Sequence, residues 1–149
     1  MCDCIYNNYY YYCLVTINIV TIAQELKSAG YRNYLIGKWG EGGFTNSKTP
    51  NYRGFDYFYG YHACAIDYYT KIDLNDIFDL WENNTLVTNL VEVSSSTYSA
   101  YLWSQKAEAI IKDHVTNHAS EPMFLYFASQ LIHFPFEAPQ EYIDKCLGN

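Results

Sequence analysis

A chain of 149 residues is long enough to bury the core of one ordinary domain. Half of its residues are apolar, 17 are tyrosine, and 9 Lys plus Arg stand against 16 Asp plus Glu for a formal charge of −7. With no basic run to follow a phosphate backbone, this balance argues against nucleic-acid binding.

Residues 1–20 differ from the rest. Up to Cys13 they form a low-complexity tyrosine and asparagine run without alternation or helical period. Residues 14–22 are apolar and β-branched but too short to span a bilayer. The start carries Asp3 and no basic residue, which does not fit a secretory signal. The expectation is a leader over residues 1–20 outside the domain that follows, as a mispredicted gene start would produce. Cys2, Cys4, Cys13, Cys64 and Cys146 make an odd set without a Cys-x-x-Cys pair. Neither a structural zinc site nor a disulfide framework follows from them.

From Thr21 the signals become orderly. Thr21 and Gln24 fit a capping box, Ile22, Leu26 and Ala29 share one face, and Gly30 is a C-terminal stop, which predicts a short amphipathic helix. Residues 31–37 then read as a buried strand delivering Lys38 to its carboxyl end. Residues 39–96 read as a long connection in which Gly40, Gly42, Gly43 and Pro50 mark turns. Its aromatic stretch, Phe55 to Tyr61, is expected to fold back against the sheet.

Within this connection, Asp73, Asp76, Asp79 and Glu82 recur every third residue. They lack the glycine and ligand spacing of a calcium loop and read as a solvated acidic face. Asn83-Asn84-Thr85 is an N-glycosylation acceptor pattern at Asn83, usable in the secretory pathway.

A second helix is predicted over residues 98–117, burying Leu102, Trp103, Ala107, Ile110, Ile111 and Val115 and leaving Lys106, Glu108, Lys112 and Asp113 outside. His114 and His118, one turn apart, lack a third ligand, so an exposed position near the helix end is expected. Residues 123–128 form a continuous apolar run, the pattern of a central strand covered on both faces. Strand, crossover with a helix, and strand make a right-handed βαβ unit. Both strand ends then point one way, which brings Lys38 and His133 to one side of the sheet.

Several stretches taken together resemble the type I sulfatases, most closely the arylsulfatase B-like branch. They are residues 21–31, Leu35-Ile-Gly-Lys-Trp39, Arg53-Gly-Phe-Asp-Tyr-Phe-Tyr-Gly-Tyr61, Asp67-Tyr-Tyr69, Asp79-Leu-Trp81, Tyr98-Ser99, and Pro122-Met-Phe-Leu-Tyr126 through His133-Phe-Pro135 and Ala138-Pro139. The resemblance implies an α/β fold, a fragment of an alkaline-phosphatase/sulfatase-like mixed sheet flanked by helices, with residues 21–146 a partial catalytic domain. It implies sulfuric ester hydrolysis, with sulfated sugars among the expected substrates. It also implies that Lys38 and His133 contact the sulfate and stabilise the leaving group. The family is lysosomal, in the endoplasmic reticulum or secreted.

The departures are as informative. The family follows Gly-Lys-Trp with a histidine of the catalytic centre, where this chain has Gly40. Its nucleophile is a formylglycine made from the cysteine of Cys-x-Pro-x-Arg, a context none of the five cysteines has. The calcium bound by the complete enzymes needs an aspartate pair and an Asp-Asn pair outside the matched stretch, so no metal or cofactor is expected for this chain and no hydrolysis by it alone. Three readings stay open at this point: part of a sulfatase, a catalytically dead remnant with a binding or structural role, or an unrelated small α/β domain binding a ligand through its aromatic stretch. Sheet edges left without neighbours would promote self-association.

Overall fold

The computed structural model describes residues 3–7, 10–14, 18–43 and 45–148, the first two segments as backbone alone. Strands β1 (Asp3–Asn7) and β2 (Tyr10–Leu14) pair antiparallel, with Cys4 opposite Cys13, in a hairpin separate from the main sheet. Tyrosine and isoleucine favour extended backbone even where alternation is missing. The rest of the low-complexity run, Cys2 included, lies outside the described residues, as do the side chains of Cys4 and Cys13. Cys64 and Cys146 are free thiols.

Helix α1 (Ile22–Ser28) opens with the expected capping box: Thr21 Oγ1 accepts from the Gln24 N–H at 3.1 Å, and Gln24 Oε1 accepts from the Thr21 N–H at 2.9 Å. Its buried residue is Ala23, whereas Ile22 is 68% exposed and Ala29 is also exposed. The helix approaches the sheet so closely that only a small side chain fits. The reason lies in Asn33, fully buried in the next strand, whose Nδ2 donates to Ala23 O at 2.6 Å and Gly54 O at 2.8 Å.

That strand, β3 (Arg32–Lys38), lies between β4 (Tyr57–Tyr61) and β7 (Met123–Ala128), parallel to both. The short strands β5 (Trp81–Glu82) and β6 (Thr85–Leu86) continue the sheet antiparallel beyond β4, giving the order β6-β5-β4-β3-β7. The stretch expected to lie back against the sheet is therefore partly a strand of it. Tyr59 and Tyr61 point into the core under helix α2 (Ser99–Asn117), while Phe58 joins Ala23, Leu35 and Phe55 on the opposite face. Aromatic residues occupy both parities because both faces of β4 are covered, which removes the alternation that marks a half-buried strand.

Two further expectations are corrected. Among the described residues β7 is an edge strand, with Tyr126 50% and Phe127 42% exposed; a continuous apolar run does not encode how many neighbours a strand has. Helix α2 buries Leu102, Trp103, Ile110 and His114, while Ile111 and Val115 face outward. Its stripe is rotated so that Lys106 covers the Tyr59 ring at 4.3 Å and lies 3.5 Å from Glu82 and 3.6 Å from Glu92. A third helix, α3 (Gln140–Leu147), ends the described chain. No helix among the described residues is long and apolar enough to cross a membrane.

Candidate functional site

Lys38 ends β3 where three strands come unusually close. Gly37 pairs with Gly60 on one side and Ala128 on the other. A Cβ at Gly37 would lie 2.1 Å from Ala128 O, and one at Gly60 would lie 1.9 Å from Gly37 O. Only glycine permits this row, which gives the Gly-Lys-Trp and Tyr-Gly-Tyr stretches a physical reason. Main-chain bonds carry the ladder past the strand, from Trp39 N–H to Tyr61 O at 2.9 Å and from Gly40 N–H to His62 O at 3.2 Å. The Lys38 ammonium has no hydrogen-bond or ion-pair partner among the described residues.

Gly40, at φ +74, lies under the Lys38 side chain: a Cβ there would stand 3.1 Å from Lys38 Cε. A histidine at this position would need a left-handed backbone and a displaced lysine.

Asp79 braces the neighbouring loop. It was expected on a solvated acidic face, yet it is 6% exposed and accepts from the His62 and Ala63 N–H groups and from Trp81 Nε1 at 2.7 Å. Burial holds His62 below its usual imidazole range, with the Asp79 charge opposing. Asp73 instead closes a turn through the Asn75 and Ile77 N–H groups, and Glu82 accepts the Tyr57 hydroxyl.

His133 lies in the loop after β7, at the same rim as Lys38 because β3 and β7 run parallel. Its Nδ1 is 2.7 Å from Phe134 O. A carbonyl only accepts, so Nδ1 carries the proton and Nε2 is left without a protein partner. The side chain is exposed, and neither it nor Lys38 bonds the other.

The other histidines serve the fold. His114 is 6% exposed, not at the surface as expected. Its Nε2 donates to Glu121 O at 3.0 Å, which leaves Nδ1 to accept the Tyr34 hydroxyl at 2.9 Å and ties α2 to β3. His118 Nδ1 sits 3.1 Å from Glu121 Oε1. Asn83 occupies the turn between β5 and β6, where its Oδ1 accepts from the Phe58 N–H at 3.0 Å and from Asn51 Nδ2 at 3.1 Å.

Sequence reasoning missed the brace under β3. Asp56 accepts the Asn33 N–H at 2.9 Å and the Lys27 ammonium at 2.8 Å. Burial raises its carboxyl, but these two donors outweigh it and hold Asp56 below the usual carboxylate range. Arg-Gly-Phe-Asp is thus a clasp joining α1 to β3: Arg53 O accepts the Thr21 hydroxyl at 2.7 Å, and Gly54 adopts φ +100 against the first turn of α1. The buried Lys71 was also unforeseen. Its ammonium donates to Tyr69 O, to Ser94 O at 2.8 Å and to Thr97 O at 2.7 Å. Burial pulls it down to about 8, so it keeps its charge at neutral pH and serves as a fully bonded pin.

Among the described residues no three His, Cys, Asp or Glu side chains converge. The buried or half-buried carboxylates Asp56, Asp67 and Asp79 already accept hydrogen bonds from backbone or side-chain groups.

The sulfatase family profile matches residues 6–146. Arylsulfatase J of Mus musculus is 34% identical over 128 residues, 83% of this chain and 20% of its own length. The arylsulfatase of Klebsiella aerogenes is 26% identical over 135 residues, 90% of this chain and 28% of its own. Among solved structures, Ps i-CgsB in complex with k-i-k-neocarrahexaose superposes with a TM-score of 0.75 at 24% identity, over 90% of this chain and 31% of that one. The chain therefore spans a fifth to a third of these relatives, and its mixed sheet with flanking helices is the alkaline-phosphatase-like arrangement. The chain belongs to the sulfatase family.

Proposed function

We propose that this chain is the sulfate-holding part of a sulfatase catalytic domain that hydrolyses sulfuric esters, with Lys38 and His133 as its contacts to the sulfate. The observation that supports the reading is the parallel pairing of β3 and β7, with Gly37 opposite Ala128, so that Lys38 and the loop bearing His133 both follow strand ends on one rim of the sheet. Cleavage of a sulfate ester builds negative charge on the leaving oxygen and the sulfuryl oxygens. A fixed ammonium lowers the energy of that charge, and an imidazolium donating from Nε2 can pass a proton to the departing alcohol.

The 149 residues alone hold the anion without turning it over, because none of the five cysteines has the Cys-x-Pro-x-Arg context of the family nucleophile. Calcium is a cofactor we assign to the complete family enzyme. Sulfated sugars are the substrate class we favour. Asn83 is a glycosylation acceptor if the chain enters the secretory pathway, since its Nδ2 donates to no described residue. The open edge of β7 favours association between copies. The second reading, a remnant that binds sulfate esters without catalysis, is favoured by Gly40.

Titration of the full chain with inorganic sulfate, followed by NMR of the lysine and histidine side chains, tests the proposal. Sulfate should shift both side chains, and Lys38→Ala or His133→Ala should weaken binding about tenfold or more, as expected for loss of a charge-assisted bond. Binding unchanged in both variants would overturn it.

A further inference from the structure

Among the described residues the His133 imidazole has one hydrogen bond, to the carbonyl of the neighbouring Phe134, so its position depends on its backbone. That backbone is a turn closed by His133 N–H donating to Gln130 O at 2.9 Å. At its mouth sits the Tyr68 hydroxyl, 3.0 Å from both Gln130 O and His133 O, on a side chain only 1% exposed. Gln130 itself is 2% exposed. Its Nε2 donates to Ile66 O, and its Oε1 accepts from Ser99 Oγ at 2.8 Å, at the first residue of α2.

The far end of the loop is held from the same side. Glu137 Oε2 accepts the Tyr68 N–H at 3.0 Å, and Glu137 O accepts the Tyr98 hydroxyl at 2.9 Å. Ser99 N–H in turn donates to Tyr68 O at 2.8 Å. Residues 66–68 and the start of α2 thus hold both ends of the segment whose crest bears His133. The rest of that crest has little packing to hold it, with Ile132 87%, Phe134 60% and Phe136 82% exposed.

We infer that Tyr68 and Gln130 are positioning residues, which latch the turn after β7 so that His133 Nε2 is held ready for a sulfate oxygen. The inference rests on the sulfate-binding reading above, and it assigns a role to the Asp67-Tyr-Tyr69 segment that has no other part in the site. A bifurcated hydroxyl bond spanning both ends of a four-residue turn fixes its closure. A buried amide bonded on both sides fixes where that turn begins.

The test uses the full chain, wild type and Tyr68→Phe, with amide hydrogen exchange and the sulfate titration read together. In Tyr68→Phe, exchange at the His133 amide should quicken about tenfold, the scale of one buried hydrogen bond, while Ile36 and Phe127 in the sheet stay unchanged. The sulfate-induced shift of the His133 imidazole should then weaken by a similar factor. If Tyr68→Phe does not fold, Ser99→Ala loosens the same latch through Gln130 and takes its place. Exchange that is unaltered, or that quickens equally across β3 and β7, overturns the latch. Selective loosening with a wild-type sulfate response overturns the positioning role. A wild-type chain whose His133 ignores sulfate refutes the function reading itself, and the positioning role falls with it, while the exchange result still reports on the latch.

Discussion

Lys38 and His133 reach the same rim by different physical means. Lys38 ends a strand with neighbours on both sides and packing on both faces, so its backbone is set by the ladder and by a glycine row in close contact. His133 follows an edge strand and hangs from a few side-chain hydrogen bonds to Tyr68, Gln130 and Ser99. The first position should respond to added volume and the second to lost polar groups. The site proposed from both would be rigid on one side and adjustable on the other.

The largest effect should come from volume at the rigid side. Gly37→Ala places a methyl group 2.1 Å from Ala128 O, at a backbone φ of +99. Overpacking and a left-handed non-glycine residue together should cost about 3 kcal/mol or more, read as a lower midpoint in urea denaturation. A variant within about 1 kcal/mol of wild type would mean that β3 and β7 are not so tightly joined, and the contrast with the His133 loop would lose its basis.

Acid should affect the two sides with opposite sign. At the opposite end of the strand that bears Lys38, where it accepts the Asn33 N–H, Asp56 has a depressed carboxyl, so the stability it contributes is present above the usual carboxylate range and is lost as pH falls through its folded value. On the His133 side burial, with the Asp67 charge adding, raises Glu137 above its usual value. Its contribution is fully present below the ordinary glutamate range and is lost as pH rises through the folded value. Asp56→Asn should therefore flatten the acid limb of the stability curve. Glu137→Gln should instead make the protection of the His133 amide, relative to its intrinsic exchange rate, less dependent on pH above about 4.3, the ordinary glutamate value. Equal pH profiles for wild type and both variants would break the comparison.

How much of this was legible in the sequence follows the same division. The capping box at Thr21, strand β3 and helix α2 are written in local pattern, because caps and periodicity are local properties, and the parallel sense of β3 and β7 follows from the order strand, helix, strand. The depth of His114 and Asp79 is not. Each is a polar residue whose burial depends on partners far along the chain, Tyr34 for one and the His62 to Trp81 loop for the other. Strand β4 was hidden because aromatic residues on both faces erase the period-two signal. The latch on His133 joins residues 62 to 65 positions apart, which no window of sequence displays. A tyrosine pair in a connection and a glutamine three residues before His133 were the only traces, and they acquire meaning when α2 brings Ser99 between them.

The smallest effect on stability should come from the edge that separates the two regions from solvent. Tyr126 is half exposed on β7, so Tyr126→Lys removes little buried area and should alter the unfolding midpoint by no more than about 0.5 kcal/mol. The same substitution adds a charge to an edge that presents unpaired backbone groups, a feature known to oppose strand-to-strand pairing between molecules. Sedimentation velocity across a concentration series should show wild-type chains associating and Tyr126→Lys chains staying smaller. If both behave alike, association does not run through β7. If the lysine instead lowers stability by several kcal/mol, Tyr126 is packed, and the His133 side is held by its strand as firmly as the Lys38 side is by its glycines.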